Sequence, residues 1–218
     1  VIGENMKNLV GIVISVVYIV VVFVLSKFMT KKGEEISRKF IHIALSNIWI
    51  IYCLFIDLLW VACILPAAFI VINSLSYKFK IFKTMEREEN DGFGTVYYAI
   101  SILLVTIFSY LQSNPMIGTT GMLIMGYGDG FAAIFGKKVK SKEYKILGTT
   151  KSIAGSATMF VFSLVISCVV FYMIGIEYFI LKALLTAVIA TLLEAVSVKG
   201  LDNITVPIMV TVMTYLFI

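Results

Sequence analysis

Apolar residues recur along this 218-residue chain in runs separated by short polar intervals. Each run is about long enough to cross a hydrocarbon core of ~30 Å as a helix. Eight can be drawn, at roughly 8–26, 40–56, 58–76, 95–111, 116–136, 153–174, 177–197 and 203–217. Asp57 alone separates the second from the third, so a bent hairpin or a re-entrant pair is the alternative there. The last run is short for a full crossing. The pattern predicts an all-α, polytopic integral membrane protein of about eight transmembrane helices (seven to eight). No internal repeat or long linker divides it, so 1–218 reads as a single transmembrane domain.

Composition agrees with the pattern. Hydrophobic residues make up 60% of the chain and charged residues 14%, against about a quarter charged in a soluble domain. A chain this size has no means of hiding seven or eight long apolar helices from water. Cys53, Cys63 and Cys168 lie inside apolar runs without metal-ligand spacing and read as small core residues. The first run is long and is followed directly by Lys27, Lys31 and Lys32, so it reads as a span and not as a cleaved signal peptide. Residues 1–5 precede Met6 and read as an addition ahead of a native start.

Charge sets the orientation. Sixteen of the eighteen basic residues fall in the intervals after the first, third, fifth and seventh runs. Such alternation is expected of eight spans with the N-terminus outside and the basic loops in the cytoplasm. The net charge of +5 therefore reflects topology and anionic partners. Basic patches with aromatic interleaving are weak, and nucleic acid is not an expected partner.

The polar islands gather at the same cytoplasmic side. The stretch SRKFIH at 37–42 closes the first basic loop with Arg38 and Lys39 and sets His42 one helical turn beyond Arg38. It reads either as ordinary anchoring or as phosphate contact by Arg38 or Lys39 with His42 in support. The polar segment 85–98 has a turn at Asp91–Gly92. It then starts a helix near Gly94, with Thr95 close to the cap and free N–H groups offered to an anion. The stretch GYGDG at 126–130 puts Asp129 inside a greasy run. An unpaired carboxylate there costs several kcal/mol, so a lysine, water or divalent cation is expected beside it. The surrounding glycines leave room for a helix or a ligand to approach backbone.

The lysine-rich segment 136–156 includes Lys137 and ends in GTTKSIAGS. It lacks Walker spacing and is expected to have no strand before it. Lys151, Ser152 and Ser156, at a helix start, suit phosphate binding, or else an anchoring lysine and a cap. Glu194 lies near the end of a run, and Asp202 and Asn203 begin the next, where Asn203 is a candidate cap. Asp129, Glu194 and Asp202 then make three carboxylates at similar depth. They would repel one another if dry, and Mg²⁺ shared with a polyphosphate resolves the conflict. The opposite side has only scattered turn residues, Asp57, Asn114 and Glu177. This one-sided polarity favours an enzyme acting on a lipid headgroup over a transporter.

Five islands, in order, carry a family resemblance: RKFIH at 38–42, GTVYY at 94–98, GDGFAAIFG at 128–136, GTTKSIAGS at 148–156, and ExxSxxGxDN at 194–203 with Pro207. Together they resemble the CTP-dependent lipid-alcohol kinases: dolichol kinase, phytol kinase and fungal-type diacylglycerol kinase. These are related to the CDP-diacylglycerol synthases. The resemblance implies CTP as phosphoryl donor, Mg²⁺ as cofactor, and a nucleotide and metal site at Gly128 with Asp129 and at Lys151 with Ser152. The closing Glu194 and Asp202-Asn203 look more like the kinase branch.

The expected reaction is transfer of the γ-phosphoryl group to a membrane lipid alcohol, with Asp129, Glu194 and Asp202 in catalysis and metal binding. The alternatives are a phosphatidate cytidylyltransferase and a transporter or scaffold. Glycines on span faces suit contacts within one chain or between copies, so a homo-oligomer also fits.

Overall fold

The computed structural model describes residues 2–79 and 93–218. Its helices are α1 (Ile2–Met29), α2 (Glu34–Ser46), α3 (Ile48–Phe55), α4 (Leu59–Phe79), α5 (Gly94–Leu111), α6 (Ile117–Leu123), α7 (Gly130–Lys138), α8 (Ile153–Met173), α9 (Phe179–Val196) and α10 (Asp202–Phe217). Among the described residues, six helical stretches are long and apolar enough to cross a membrane: α1, α2 with α3, α4, α5, α8 and α9. The protein is thus a polytopic membrane protein, and its described residues are helical apart from one short hairpin and the turns. The expected fifth run is helical over 117–138 but in three pieces, α6, a π-helical turn (Ile124–Asp129) and α7. The eighth is the shorter α10. The expected turn at Asp91–Gly92 and the basic residues Lys80, Lys83 and Arg87 lie outside the described residues.

The surface is inverted relative to a soluble bundle. Leu9, Val13, Val17, Val20, Val24 and Phe28 stand exposed along α1, and α8 and α9 show similar valine and leucine faces. A continuous apolar exterior is stable against hydrocarbon and not against water. Inside, Trp49, Tyr52, Ile56 and Met122 centre one core cluster. Ile124, Met159, Ala190 and Val210 centre a second, joining the π-helical turn to α8, α9 and α10.

One end of the bundle is tied by small polar staples. Lys7 pairs with Asp57 at 2.8 Å. The side-chain oxygen of Asn8 accepts from the backbone N–H groups of Asp57 and Leu58. Those bonds explain how α3 reverses into α4 within three residues, without Gly or Pro. Trp49 Nε1 donates to the Pro115 carbonyl at the same end.

Two expectations about local structure are corrected. Arg38 and Lys39 are not in a loop: α2 begins at Glu34, where Glu34 and Glu35 suit the positive end of the helix dipole. A strand does precede the GTTKS stretch. Residues Glu143–Ile146 (β1) and Thr149–Ser152 (β2) pair antiparallel, with Tyr144 opposite Lys151 and Ile146 opposite Thr149. Opposed residues share a face, and these four are partly buried while Glu143, Lys145 and Thr150 are exposed. The hairpin therefore turns Lys151 inward. Leu147 and Gly148 form its turn at positive φ, as two-residue hairpins favour.

Small residues set the spacing between α6 and α10. A Cβ on Gly121 would meet the Pro207 carbonyl oxygen and Thr211 Oγ1, each at 2.4 Å. Backbone cannot swing aside as a flexible side chain can. Gly121→Ala is expected to destabilise the fold by about 1–3 kcal/mol. Thermal unfolding in detergent should show a lowered midpoint, and an unchanged one would mean that α10 moves freely.

Candidate functional site

The site grows from the ends of α2, α5, α7, α9 and α10 and from the hairpin, all at the end of the bundle opposite the Lys7–Asp57 staple. Between them lies a cavity of about 620 Å³, in the range of small-molecule pockets. Arg38, Lys39, His42, Thr95, Asp129, Lys137, Lys151, Ser152, Ser156, Glu194, Asp202 and Asn203 all line it.

Asp129 ends the π-helical turn. A π-helical turn rotates the residues after it relative to an α-helical path, and here the carboxylate meets α2. Lys39 Nζ donates to Asp129 Oδ2 at 2.7 Å, with both side chains about nine-tenths buried. His42 Nε2 lies 3.3 Å from the same oxygen and 2.9 Å from the Met125 carbonyl. A carbonyl only accepts, so Nε2 carries the proton. Tyr98 donates to the His42 carbonyl at 3.0 Å, and the two rings lie 4.5 Å apart. Gly126 permits this approach: a Cβ there would meet Ser46 Oγ at 2.1 Å.

The facing wall holds a second lysine. Lys151, inward on β2, forms an ion pair with Glu194 Oε1 and stands 4.0 Å from Asp202 Oδ2. Burial pulls the Lys151 ammonium toward neutrality, but Glu194, Asp202 and Asp129 outweigh it and hold its pKa above the ordinary lysine value. The remaining Glu194 oxygen, Oε2, and the Asn203 Oδ1 are buried without a hydrogen-bond partner among the described residues. At the rim, Arg38 and Lys137 both reach Glu35 Oε2, at 2.6 and 3.3 Å.

Several expected roles change in detail. Gly128 does not line the cavity. A Cβ there would meet Met159 Sδ at 2.7 Å, so this glycine seats the π-helical turn on α8. Ser152 caps α8: its Oγ accepts from Gly155 N and donates to the Gly136 carbonyl. Ser156 is bonded to the Tyr144 hydroxyl. Thr95 lies inside α5 with no capping bond, and its carbonyl accepts from Asn73 Nδ2. Asn203 follows the first residue of α10 and does not cap it; its Nδ2 donates to the Gly94 carbonyl at 3.3 Å. The three carboxylates share the cavity, and two lysines, Lys39 and Lys151, offset their repulsion.

Sequence reading passed over Asn73, Glu143, Lys199 and Tyr98, of which the first three line the cavity beside Tyr98. Asn73 carried a signal, as an amide inside an apolar run. Tyr98 stood inside a quoted motif. Glu35 precedes Arg38 by three residues, the spacing of a helical ion pair.

A divalent cation fits the donor set, though not as a protein-only cage. No group of three His, Cys, Asp or Glu side chains among the described residues converges on one point. The cavity nonetheless presents hard oxygen donors, two of them buried and unpartnered, which suits an ion that takes one or two carboxylates plus phosphate oxygens and water.

Comparison with known proteins agrees over most of the chain. It is 32% identical over 176 residues to a phytol kinase of Synechocystis sp., covering 80% of this chain and 76% of that protein. It is 30% identical over 207 residues to a probable phytol kinase 1, chloroplastic, of Oryza sativa subsp. japonica, covering 84% and 64%. A phytol kinase 1, chloroplastic, of Arabidopsis thaliana is 28% identical over 214 residues, covering 86% and 69%. No family model matches the sequence, and no solved structure matches it significantly.

Proposed function

The chain belongs to the phytol/dolichol kinase family, and from that membership we propose that it transfers the γ-phosphoryl group of CTP to the hydroxyl of a membrane lipid alcohol. The products are a lipid monophosphate and CDP. The observation that carries this reading is a pair of lysine–carboxylate couples, Lys39–Asp129 and Lys151–Glu194, facing one cavity that continues into apolar packing.

In this reading the nucleotide's triphosphate lies against Lys151, Lys137 and Lys199, with Arg38 at the rim. Lysines supply point charge without fixing geometry, and the α8 N-terminus adds its dipole. Asp129 and Glu194, with Asn203, would hold Mg²⁺ together with phosphate oxygens, Glu194 through the oxygen that Lys151 does not engage. When bound, that ion neutralises charge on the transferring group. The lipid hydroxyl oxygen attacks the γ-phosphorus as the bond to the β–γ bridging oxygen breaks. Asp202 receives the hydroxyl proton: it is the freer carboxylate, since Glu194 is engaged directly with Lys151. His42 holds no charge role; bonded to the Met125 carbonyl, it fixes α2 against the π-helical turn so that Lys39 meets Asp129. Catalysis is then mainly positioning and charge neutralisation.

The active end faces the cytoplasm, because sixteen of the eighteen basic residues fall in alternate intervals and such residues stay inside. That orientation goes with eight spans and an outside N-terminus in the cell membrane.

Purified protein with γ-labelled CTP and a panel of lipid alcohols is the test. Label in the lipid is expected. Label in pyrophosphate after adding phosphatidate would replace the kinase with a cytidylyltransferase. No nucleotide turnover, with solute flux in liposomes, would make the protein a transporter.

A further inference from the structure

The segment between α7 and α8 carries charge that the cavity does not use. Lys138, Lys140, Lys142 and Lys145 are all exposed there, against a single acid, Glu143. None of these four lysines lines the cavity. Two large apolar side chains stand open among them: Val139, 48% exposed, and Leu147, 72% exposed at the hairpin tip. Leu147 is out of place for a turn in water. Its φ is 48° and that of Gly148 is 82°, positions that favour Asn, Asp or Gly. A left-handed backbone crowds the leucine Cβ, and the turn gives its side chain nothing to pack on. Hydrocarbon beside the tip would cover it.

The place of the hairpin brings that hydrocarbon near. The helical run 117–138 ends at Lys138, and α8, a stretch able to cross a membrane, starts at Ile153. The chain joining them is thereby held at the boundary between lipid and water. Its base is fixed to α8. The Ile153 amide donates to the Lys142 carbonyl at 3.0 Å, the Ala154 amide donates to Ser141 Oγ at 3.1 Å, and the hydroxyls of Tyr144 and Ser156 are bonded. Thr149, beside the tip, and Lys151, near the base, line one cavity. The hairpin therefore lies across the end of the bundle and does not rise away from it. Four residues of β2 span about 13 Å at ~3.3 Å each, which carries Leu147 sideways toward the margin of the helices.

We propose that the hairpin is a membrane-docking element: Leu147, with Val139, enters the edge of the hydrocarbon while Lys138, Lys140, Lys142 and Lys145 meet the headgroups of anionic lipids. Apolar side chains set among lysines are what an interfacial segment uses, and each lysine near a negatively charged leaflet adds attraction. An acidic protein surface would meet the same charges. The leaflet is favoured because the helices on both sides of the hairpin already stand in it. Leu147 and Lys151 are four residues apart on the same hairpin, so lipid that holds the tip also steadies that lysine over the cavity. Docking of this kind needs no catalytic step and holds whichever reaction the cavity performs.

The experiment places the full chain in nanodiscs of phosphatidylcholine with and without phosphatidylglycerol. Leu147→Trp reports depth in a Trp60→Phe background, where the buried Trp49 stays constant. Its emission is expected to shift to the blue and to be quenched by lipid brominated near the headgroup, more strongly with phosphatidylglycerol. Amide hydrogen exchange over 143–152 in the unmodified protein is expected to slow about tenfold with the anionic lipid, and replacing the four lysines together by Gln is expected to abolish that slowing. Leu147→Asn suits the turn and keeps the hairpin folded, yet it is expected to speed exchange in the anionic nanodisc because the tip no longer inserts. Emission untouched by brominated lipid would overturn the docking, as would slower exchange in Leu147→Asn. Slowing that requires an added acidic protein would make the hairpin a protein-docking surface instead. A lysine variant altered only in its KM for nucleotide, equally in both nanodiscs, would assign the lysines to nucleotide capture and also overturn it.

Discussion

Asp129→Asn is expected to reduce turnover about a thousandfold, the upper end of what one preorganised electrostatic group contributes. It is also expected to lower stability. The carboxylate is the counter-ion of Lys39, and both side chains are about nine-tenths buried. Removing one member of such a pair leaves an uncompensated charge and costs about 3 kcal/mol or more. Loss of activity in this variant therefore has two possible sources, and the double variant Asp129→Asn with Lys39→Met separates them. Discarding both charges is expected to return the unfolding midpoint most of the way and to leave turnover abolished. Recovery of turnover in the double variant would reduce Asp129 to a partner for Lys39 and remove it from the chemistry.

Lys151→Met is the second large effect. Lys151 sits between Glu194 and Asp202, so its loss exposes the incoming triphosphate to two carboxylates without their cation. We expect kcat/KM for the nucleotide to fall about 10²- to 10³-fold, with a raised KM as the larger part. Lys151→Arg is expected to restore only part, because a planar fork does not replace a compact ammonium in the hairpin's inward register. Held above the ordinary lysine value, the ammonium stays charged until the pH rises past that value, so Lys151 adds no step to the rate profile between about pH 6 and about pH 9. A Lys151→Met variant with normal nucleotide KM would exclude the residue from phosphate binding.

Both residues stood out in the sequence for the same reason: an ionisable group in or beside an apolar run is costly unless it is used. Their partners were not legible. Lys39 looked like the end of a loop, yet α2 starts five residues before it and carries it against Asp129, ninety positions away. Lys151 was set apart by its place just before a helix start, but the carboxylates it faces were not. The β-hairpin, unforeseen because four-residue strands carry too little periodic signal, is what turns it inward while Lys145 stays exposed. Gly128 shows the opposite error. It adjoins a functional aspartate in sequence but points at Met159, because successive helical residues face different directions.

The sequence by itself determined the solvent this protein folds in, the helical character of nearly all of it, and the end of the bundle where its chemistry gathers. Those follow from hydrophobic run length and charge placement, which depend on order along the chain alone. The tertiary structure decided which lysine answers which carboxylate, and that the three acids share one cavity with two ammonium groups. These depend on distances between residues far apart in sequence, which hydrophobic run length and charge placement do not encode.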